Sequence, residues 1–248
     1  MSVILVTGAA KRIGREICLH FARQGWDVIA HYHTSVDQAN ALQLEIKDLG
    51  QKCWLVQADL SDEIQVRSLI QNAIDQSGGI DILVNNASTF TYDSIETMDR
   101  QSWDYHMEPN LWAPILLSQE FARLCQQGLI VNILDQRVLN LTPHYLSYSI
   151  SKYALWGVTQ SLALALAPAI RINGIGPGPT LKNDRQTDQQ FERQYTELPL
   201  EKPISPQEIA ETVEYFWKSP SVTGQIIAVD GGQHLGWAMP PSKSVRYD

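Results

Sequence analysis

The sequence predicts a single doubly wound α/β domain: a parallel sheet of about seven strands with helices on both faces. Three observations predict it. Apolar runs of strand length alternate with segments of helical spacing, which implies βαβ crossovers and a sheet covered on both sides. A small-residue turn, Thr7-Gly8-Ala9-Ala10-Lys11-Arg12-Ile13-Gly14, joins the first run to the first helical segment. Polar and ionisable residues gather where later runs end, the edge at which open α/β sheets bind ligands.

In order, strands are expected at Val3–Thr7, Asp27–Tyr32, Lys52–Gln57, Ile80–Asn85, Leu129–Leu134, Ile170–Gly174 and Gln225–Val229. Val, Ile and Leu dominate most of them, as strands buried on both faces require. Ile13, Ile17 and Phe21 mark the first helix; Ala39, Leu42, Ile46 and Leu49 mark the second, each set on one face. Trp103, Trp112, Trp156 and Trp217 fall on helical segments and are expected to pack. Residues 177–204 open with Pro177-Gly178-Pro179-Thr180 and are rich in polar residues. They are expected to form a substrate loop, since an insertion of this length is more often a lid than filler. It ends at Ser205-Pro206-Gln207-Glu208, a helix start with Ser at the N-cap, Pro at N1 and Glu at N3. With no linker or internal repeat, residues 1–248 are expected to form one domain. The tail from Gly236 to Asp248 carries two prolines, Pro240 and Pro241, and is expected either to pack on a neighbouring subunit or to fray.

Composition narrows the function. The 248 residues are 44% hydrophobic and 19% charged, with a formal net charge of −8. That balance argues against a nucleic-acid or anionic-membrane binder, which presents a basic face. Cys18, Cys53 and Cys125 are odd in number and widely spaced, fitting a reducing compartment and no metal site. The start of the chain lacks the basic region of a signal peptide, and no apolar run approaches the ~18 residues of a membrane span. A cytoplasmic enzyme is expected.

The turn Thr7–Gly14 would bring backbone N–H groups to the positive end of a helix, where a phosphate can sit. Arg12 holds the place of the usual middle glycine, and Lys11 adds a second cation. Gly8, Lys11, Arg12, Ile13 and Gly14 are therefore candidate cofactor residues. The second strand ends His31-Tyr32-His33-Thr34-Ser35, with no acid until Asp37. An acid there would bind the ribose hydroxyls of NAD and repel the extra phosphate of NADP. His33, Thr34 and Ser35 can instead donate to a 2′-phosphate, so NADPH is the expected cofactor. Ala58-Asp59-Leu60 and Asn85-Asn86-Ala87-Ser88 end the third and fourth strands and line the same crevice. Asp135 ends the fifth, and Tyr148 and Lys152 follow, one helical turn apart. Alone, such an acid is most often a turn cap, and such a pair is most often coincidence.

Thr7–Gly14, Asp59-Leu60, Asn85–Ser88, Tyr148-x-x-x-Lys152, Pro177-Gly178-Pro179 and Val229-Asp230-Gly231-Gly232 occur in an order that resembles the short-chain dehydrogenase/reductase family, over residues 3 to about 235. The usual member has serine 13 positions before the tyrosine, where this chain has Asp135. Together with Arg12, His31-Tyr32-His33-x-Ser35 and Phe90, this departure resembles the pteridine reductase branch. Trypanosomatid-type members carry a basic residue where this chain has Thr34. The resemblance implies a Rossmann-type fold with Asp135, Tyr148 and Lys152 as the catalytic trio. It also implies Asn110 holding a relay water within its helix. Arg12, Ser88 and Phe90 would lie beside the pterin, and Pro177, Gly178 and Thr180 near the cofactor. Lys152 and a cationic nicotinamide are expected to favour the Tyr148 phenolate. The implied activity is NADPH-dependent reduction of a pterin, dihydropterin or dihydrofolate ring. The alternative is a carbonyl reductase such as a 3-oxoacyl-thioester reductase. A homotetramer is implied in either case.

Overall fold

The computed structural model describes residues 2–182 and 186–236, so the tail from 237 onward lies outside the described residues. Strands β1 (Val3–Val6), β2 (Asp27–Tyr32), β3 (Cys53–Gln57), β4 (Ile82–Asn85), β5 (Gly128–Ile133), β6 (Ile170–Pro177) and β7 (Ile226–Val229) form one parallel sheet in the order β3-β2-β1-β4-β5-β6-β7. Eight α-helices are found among the described residues: α1 (Arg12–Arg23), α2 (Val36–Asp48), α3 (Glu63–Ser77), α4 (Arg100–Met107), α5 (Ala113–Cys125), α6 (Leu146–Ala165), α7 (Asp188–Thr196) and α8 (Pro206–Lys218).

Alternate strand residues feed two cores. Ile4, Val6, Val28, Val84 and Val131 pack with Ile17, Phe21, Leu42, Val213 and Phe216 from α1, α2 and α8. Val3, Leu5, Ile29, Leu83 and Ile130 pack with Val66, Leu69, Leu117 and Phe121 from α3 and α5. Both faces of each strand are therefore apolar, which is why the strands read as unbroken hydrophobic runs. The order reverses between β1 and β4, opening a crevice at the C-terminal strand ends.

The α8 start forms as expected: Ser205 Oγ accepts from Gln207 N–H, and Glu208 Oε2 accepts from Ser205 N–H at 2.7 Å. Three details differ. β6 continues past Gly174 to Pro177, pairing Gly176 with Ala228 and Pro177 with Val229. Glycine serves here for close approach, since a Cβ on Gly174 would stand 2.5 Å from Leu134 Cδ1. The segment after β6, expected to be a loop, contains α7, started by a capping box between Thr187 and Gln190. Trp112 is 40% exposed and donates from Nε1 to Glu63 Oε2 rather than packing in the core.

Candidate active site

The glycine turn is built against the end of β4. Gly8 has φ 62, and a Cβ there would meet Ala87 Cα at 3.0 Å; one on Gly14 would meet Asn86 Nδ2 and the Gly8 carbonyl at 2.5 Å. Asn86 Nδ2 donates to the Thr7 carbonyl (2.8 Å), and Thr7 Oγ1 accepts from the N–H groups of Asn86 and Ala87. Asn86 and Ala87 thus shape the turn itself. Ala9 N–H donates to the His31 carbonyl at 2.8 Å, tying the turn to β2. The His31 ring adds a second tie: Nδ1 accepts from Gly8 N–H (3.0 Å) and Nε2–H donates to the Ala58 carbonyl (3.1 Å). Its burial pushes the imidazole down to about 4. The sequence alone gives His31 no role beyond its place at the end of the second strand, because the turn that covers it is remote in sequence.

His33 and Thr34 are exposed beyond β2, and Ser35 precedes α2 with its side chain capping nothing among the described residues. His33 Nε2 lies 3.6 Å from Asp59 Oδ2. Asp59 accepts from Ser61 N–H, the chief cause holding its carboxyl below the usual range. Leu60 and Ile13 turn their side chains toward the cores. Lys11 and Arg12 are exposed where α1 begins, and no side chain caps that first turn among the described residues. Arg12 takes φ 57 and donates to the carbonyls of Leu181 (3.0 Å) and Lys182 (2.8 Å), joining the glycine turn to the segment after β6. Pro177 ends β6. A Cβ on Gly178 would meet Asp230 Cα at 2.7 Å, and Thr180 Oγ1 donates to the Gly178 carbonyl at 2.9 Å.

At the end of β5, Asp135 is both turn cap and partner of Tyr148. Its Oδ1 accepts from Arg137 N–H (2.8 Å); its Oδ2 accepts from the Tyr148 hydroxyl (2.9 Å) and Arg137 Nη1 (3.0 Å). α6 presents Tyr148 and Lys152 at i,i+4, both buried. Lys152 Nζ donates to the Ile133 carbonyl at 2.8 Å, and burial lowers it to about 8. Burial, then the Asp135 charge, push the Tyr148 phenol well above its ordinary value. The expectation of a lowered phenol is therefore reversed in these surroundings. Lys152 Nζ stands 5.9 Å from the ring centroid, whereas Asp135 is hydrogen-bonded to the hydroxyl.

Asn110 lies in a turn of π-helix, Glu108–Trp112, between α4 and α5, and not in a regular α-helix. Pro109 lacks the N–H that would reach the Tyr105 carbonyl in an α-helix, and that carbonyl accepts from Thr89 Oγ1 at 2.6 Å. Asn110 Oδ1 accepts from Thr89 N–H (2.8 Å) and Ser88 Oγ (3.2 Å), so Ser88 is engaged within this wall. Phe90, 39% exposed, stacks on Tyr145 (centroids 4.4 Å, 13° between planes) and meets Tyr148 edge-on at 4.6 Å. The Arg137 guanidinium lies 5.7 Å from the Phe90 centroid and 5.4 Å from that of Tyr145. The sequence alone gives Arg137 and Tyr145 no role at the site. A cation two residues past Asp135 and an aromatic three before Tyr148 were the available signals.

A family model described as enoyl-(acyl carrier protein) reductase matches residues 8–234. The chain belongs to the short-chain dehydrogenase/reductase family. Its fold and its class, oxidoreductase, follow from that membership. Among curated relatives, the 3-oxoacyl-[acyl-carrier-protein] reductase FabG of Staphylococcus aureus is 32% identical over 239 residues, covering 93% of this chain and 97% of the relative. The uncharacterized oxidoreductase YjdA of Bacillus subtilis is 30% identical over 93% of this short-chain reductase and 96% of its own length. Among solved structures, FolM alternative dihydrofolate reductase 1 from Brucella canis, complexed with NADP, aligns with a TM-score of 0.90 at 44% identity over 98% of each chain. The Brucella suis FolM, in complex with NADP, aligns at 0.89 and 45% identity, covering 96% of this chain and 98% of that one. These FolM structures match the pteridine reductase-like branch that the sequence resembles.

Proposed function

We propose that this short-chain dehydrogenase/reductase uses NADPH to reduce a pterin, dihydropterin or dihydrofolate ring. The observation that carries this reading is the 2.9 Å hydrogen bond from Tyr148 to Asp135, an acid where carbonyl-reducing relatives place serine. The cofactor site supports it. The glycine turn packs close against Ala87 at Gly8, the first turn of α1, with Lys11 and Arg12 beside it, has no side-chain cap among the described residues, and β2 runs into His33, Thr34 and Ser35 with no acid before Asp37. NADP in the FolM structures agrees.

When bound, NADPH supplies a hydride to a ring carbon. Tyr148, protonated because burial and Asp135 both oppose the phenolate, gives its proton to the adjacent ring nitrogen. Asp135, ion-paired with Arg137, is the acceptor for the amino and N–H groups of the ring. Phe90 offers a stacking face, with Arg12 and Ser88 at its margins. Lys152, Asn110 and Thr180 complete the cofactor side. Free thiols at Cys18, Cys53 and Cys125 support a cytoplasmic setting. Exposed Tyr153 and Leu164 on α6 support a homotetramer.

The test is steady-state NADPH oxidation with dihydrobiopterin, dihydromonapterin and dihydrofolate against an acetoacetyl thioester. Turnover of a pterin or folate with little thioester activity is expected. The reverse would establish the second reading, a 3-oxoacyl-thioester reductase, which the FabG relatives favour.

A further inference from the structure

Behind the site runs a buried polar chain that none of these steps uses. Asp93, His106 and Ser147 are 2%, 0% and 0% exposed and come from the Phe90 segment, α4 and the first turn of α6. Thr91 N–H donates to His106 Nε2 (3.1 Å), which puts the ring proton on Nδ1; Nδ1–H then donates to Ser147 Oγ (2.7 Å). The Ser147 hydroxyl is left to donate to Asp93 Oδ2. The same Asp93 caps α6, whose N-cap residue Tyr145 supplies no side-chain cap. Its carboxylate accepts from Ser147 N–H at 3.2 Å, and its carbonyl accepts from Tyr145 N–H at 2.9 Å. Tyr148 comes next in the chain, with its ring edge-on to both Phe90 (4.6 Å) and His106 (6.0 Å).

Apolar groups of the same shape would fill this space without the cost of burying polar atoms. What they could not do is set register between the three elements through matched donors and acceptors. We propose that His106, Ser147 and Asp93 are positioning residues that join the Phe90 segment to the start of α6, so that the stacking face and the Tyr148 hydroxyl keep one fixed separation. The proposal depends on the pterin reading only for which ring lies on Phe90. The coupling applies to any substrate that Tyr148 protonates.

The experiment compares His106→Leu, His106→Asn and Ser147→Ala in the NADPH-bound protein. Asn keeps a donor near the Nδ1 position and Leu does not. Leu and Ala are expected to lower kcat by about tenfold to a hundredfold, the range that a misplacement of about 1 Å imposes, and to raise KM for the ring substrate. NADPH affinity should stay unchanged, and Asn should recover most of kcat. Backbone deuterium exchange over residues 86–99 and 145–150 should rise together in Leu and Ala but not in Asn. Ser147→Ala gives both readouts should His106→Leu not fold. Unchanged kcat in both Leu and Ala, equal losses in Leu and Asn, or exchange rising in only one segment would overturn the coupling. If only thioesters turn over, the pterin reading fails, and the same kcat and exchange comparisons with that substrate still decide the coupling.

Discussion

The Tyr148 hydroxyl has a carboxylate 2.9 Å away and a buried environment, and both oppose loss of its proton. Tyr148→Phe removes that proton and little volume. Fluorescence titration should give an unaltered NADPH affinity, while kcat falls by at least about a hundredfold. Asp135→Ser restores the usual residue but strips Arg137 of the carboxylate it pairs with. Its kcat/KM on pterins is expected to fall about tenfold or more, one hydrogen bond to a charged group being worth about 1.5–3 kcal/mol, with a smaller change in NADPH affinity. A gain on pterins would sink the substrate assignment. Asp135, Tyr148 and Lys152 were legible in the sequence through the family resemblance, in which a residue 13 positions before the tyrosine is singled out. Arg137 and Tyr145 were not: Tyr145 stacks on Phe90 from a φ of 56 at the start of α6, a conformation no periodicity announces, and Arg137 reaches Phe90 from the turn after β5.

Elements were legible to the extent that their causes are local. The Ser205 box starts α8 where the residues alone say it should, and seven strands fall close to their hydrophobic runs. The extension of β6 through Ile175, Gly176 and Pro177 depends on β7 and Leu134, and the π-turn at Asn110 depends on Pro109 and on Thr89 from another segment. The approach of α1 to the glycine turn is of the local kind, six residues separating Gly8 from Gly14, and Gly14 permits it. Gly14→Ala would place a methyl 2.5 Å from the Gly8 carbonyl, which is backbone and cannot swing aside. Displacing α1 in this way should cost about 1–3 kcal/mol in urea unfolding and raise the Kd for NADPH. Tyr148 lies outside this contact, so saturating NADPH should restore most of kcat.

Stability of the whole molecule against acid follows from His31, which ties together the ends of the first three strands. Nδ1 must keep its lone pair to accept from Gly8 N–H, so a second ring proton would face a donor. Burial is the main cause that lowers the imidazole from 6.5 to about 4; His33 adds to it, while the Ala58 carbonyl and Asp59 oppose it. Between those values an unfolded chain binds a proton that the folded chain refuses. The contribution is thus complete above about pH 6.5, shrinks as pH falls, and amounts to a loss of about 3 kcal/mol by pH 4 and about 2 kcal/mol at pH 5. His31→Gln cannot titrate, so it should be less stable than the parent at neutral pH but lose less on acidification. Urea midpoints for both proteins at neutral pH and near pH 5 measure this directly. A gap that narrows by about 2 kcal/mol is expected, and a constant gap would mean that the folded protein protonates His31 as readily as the unfolded chain does.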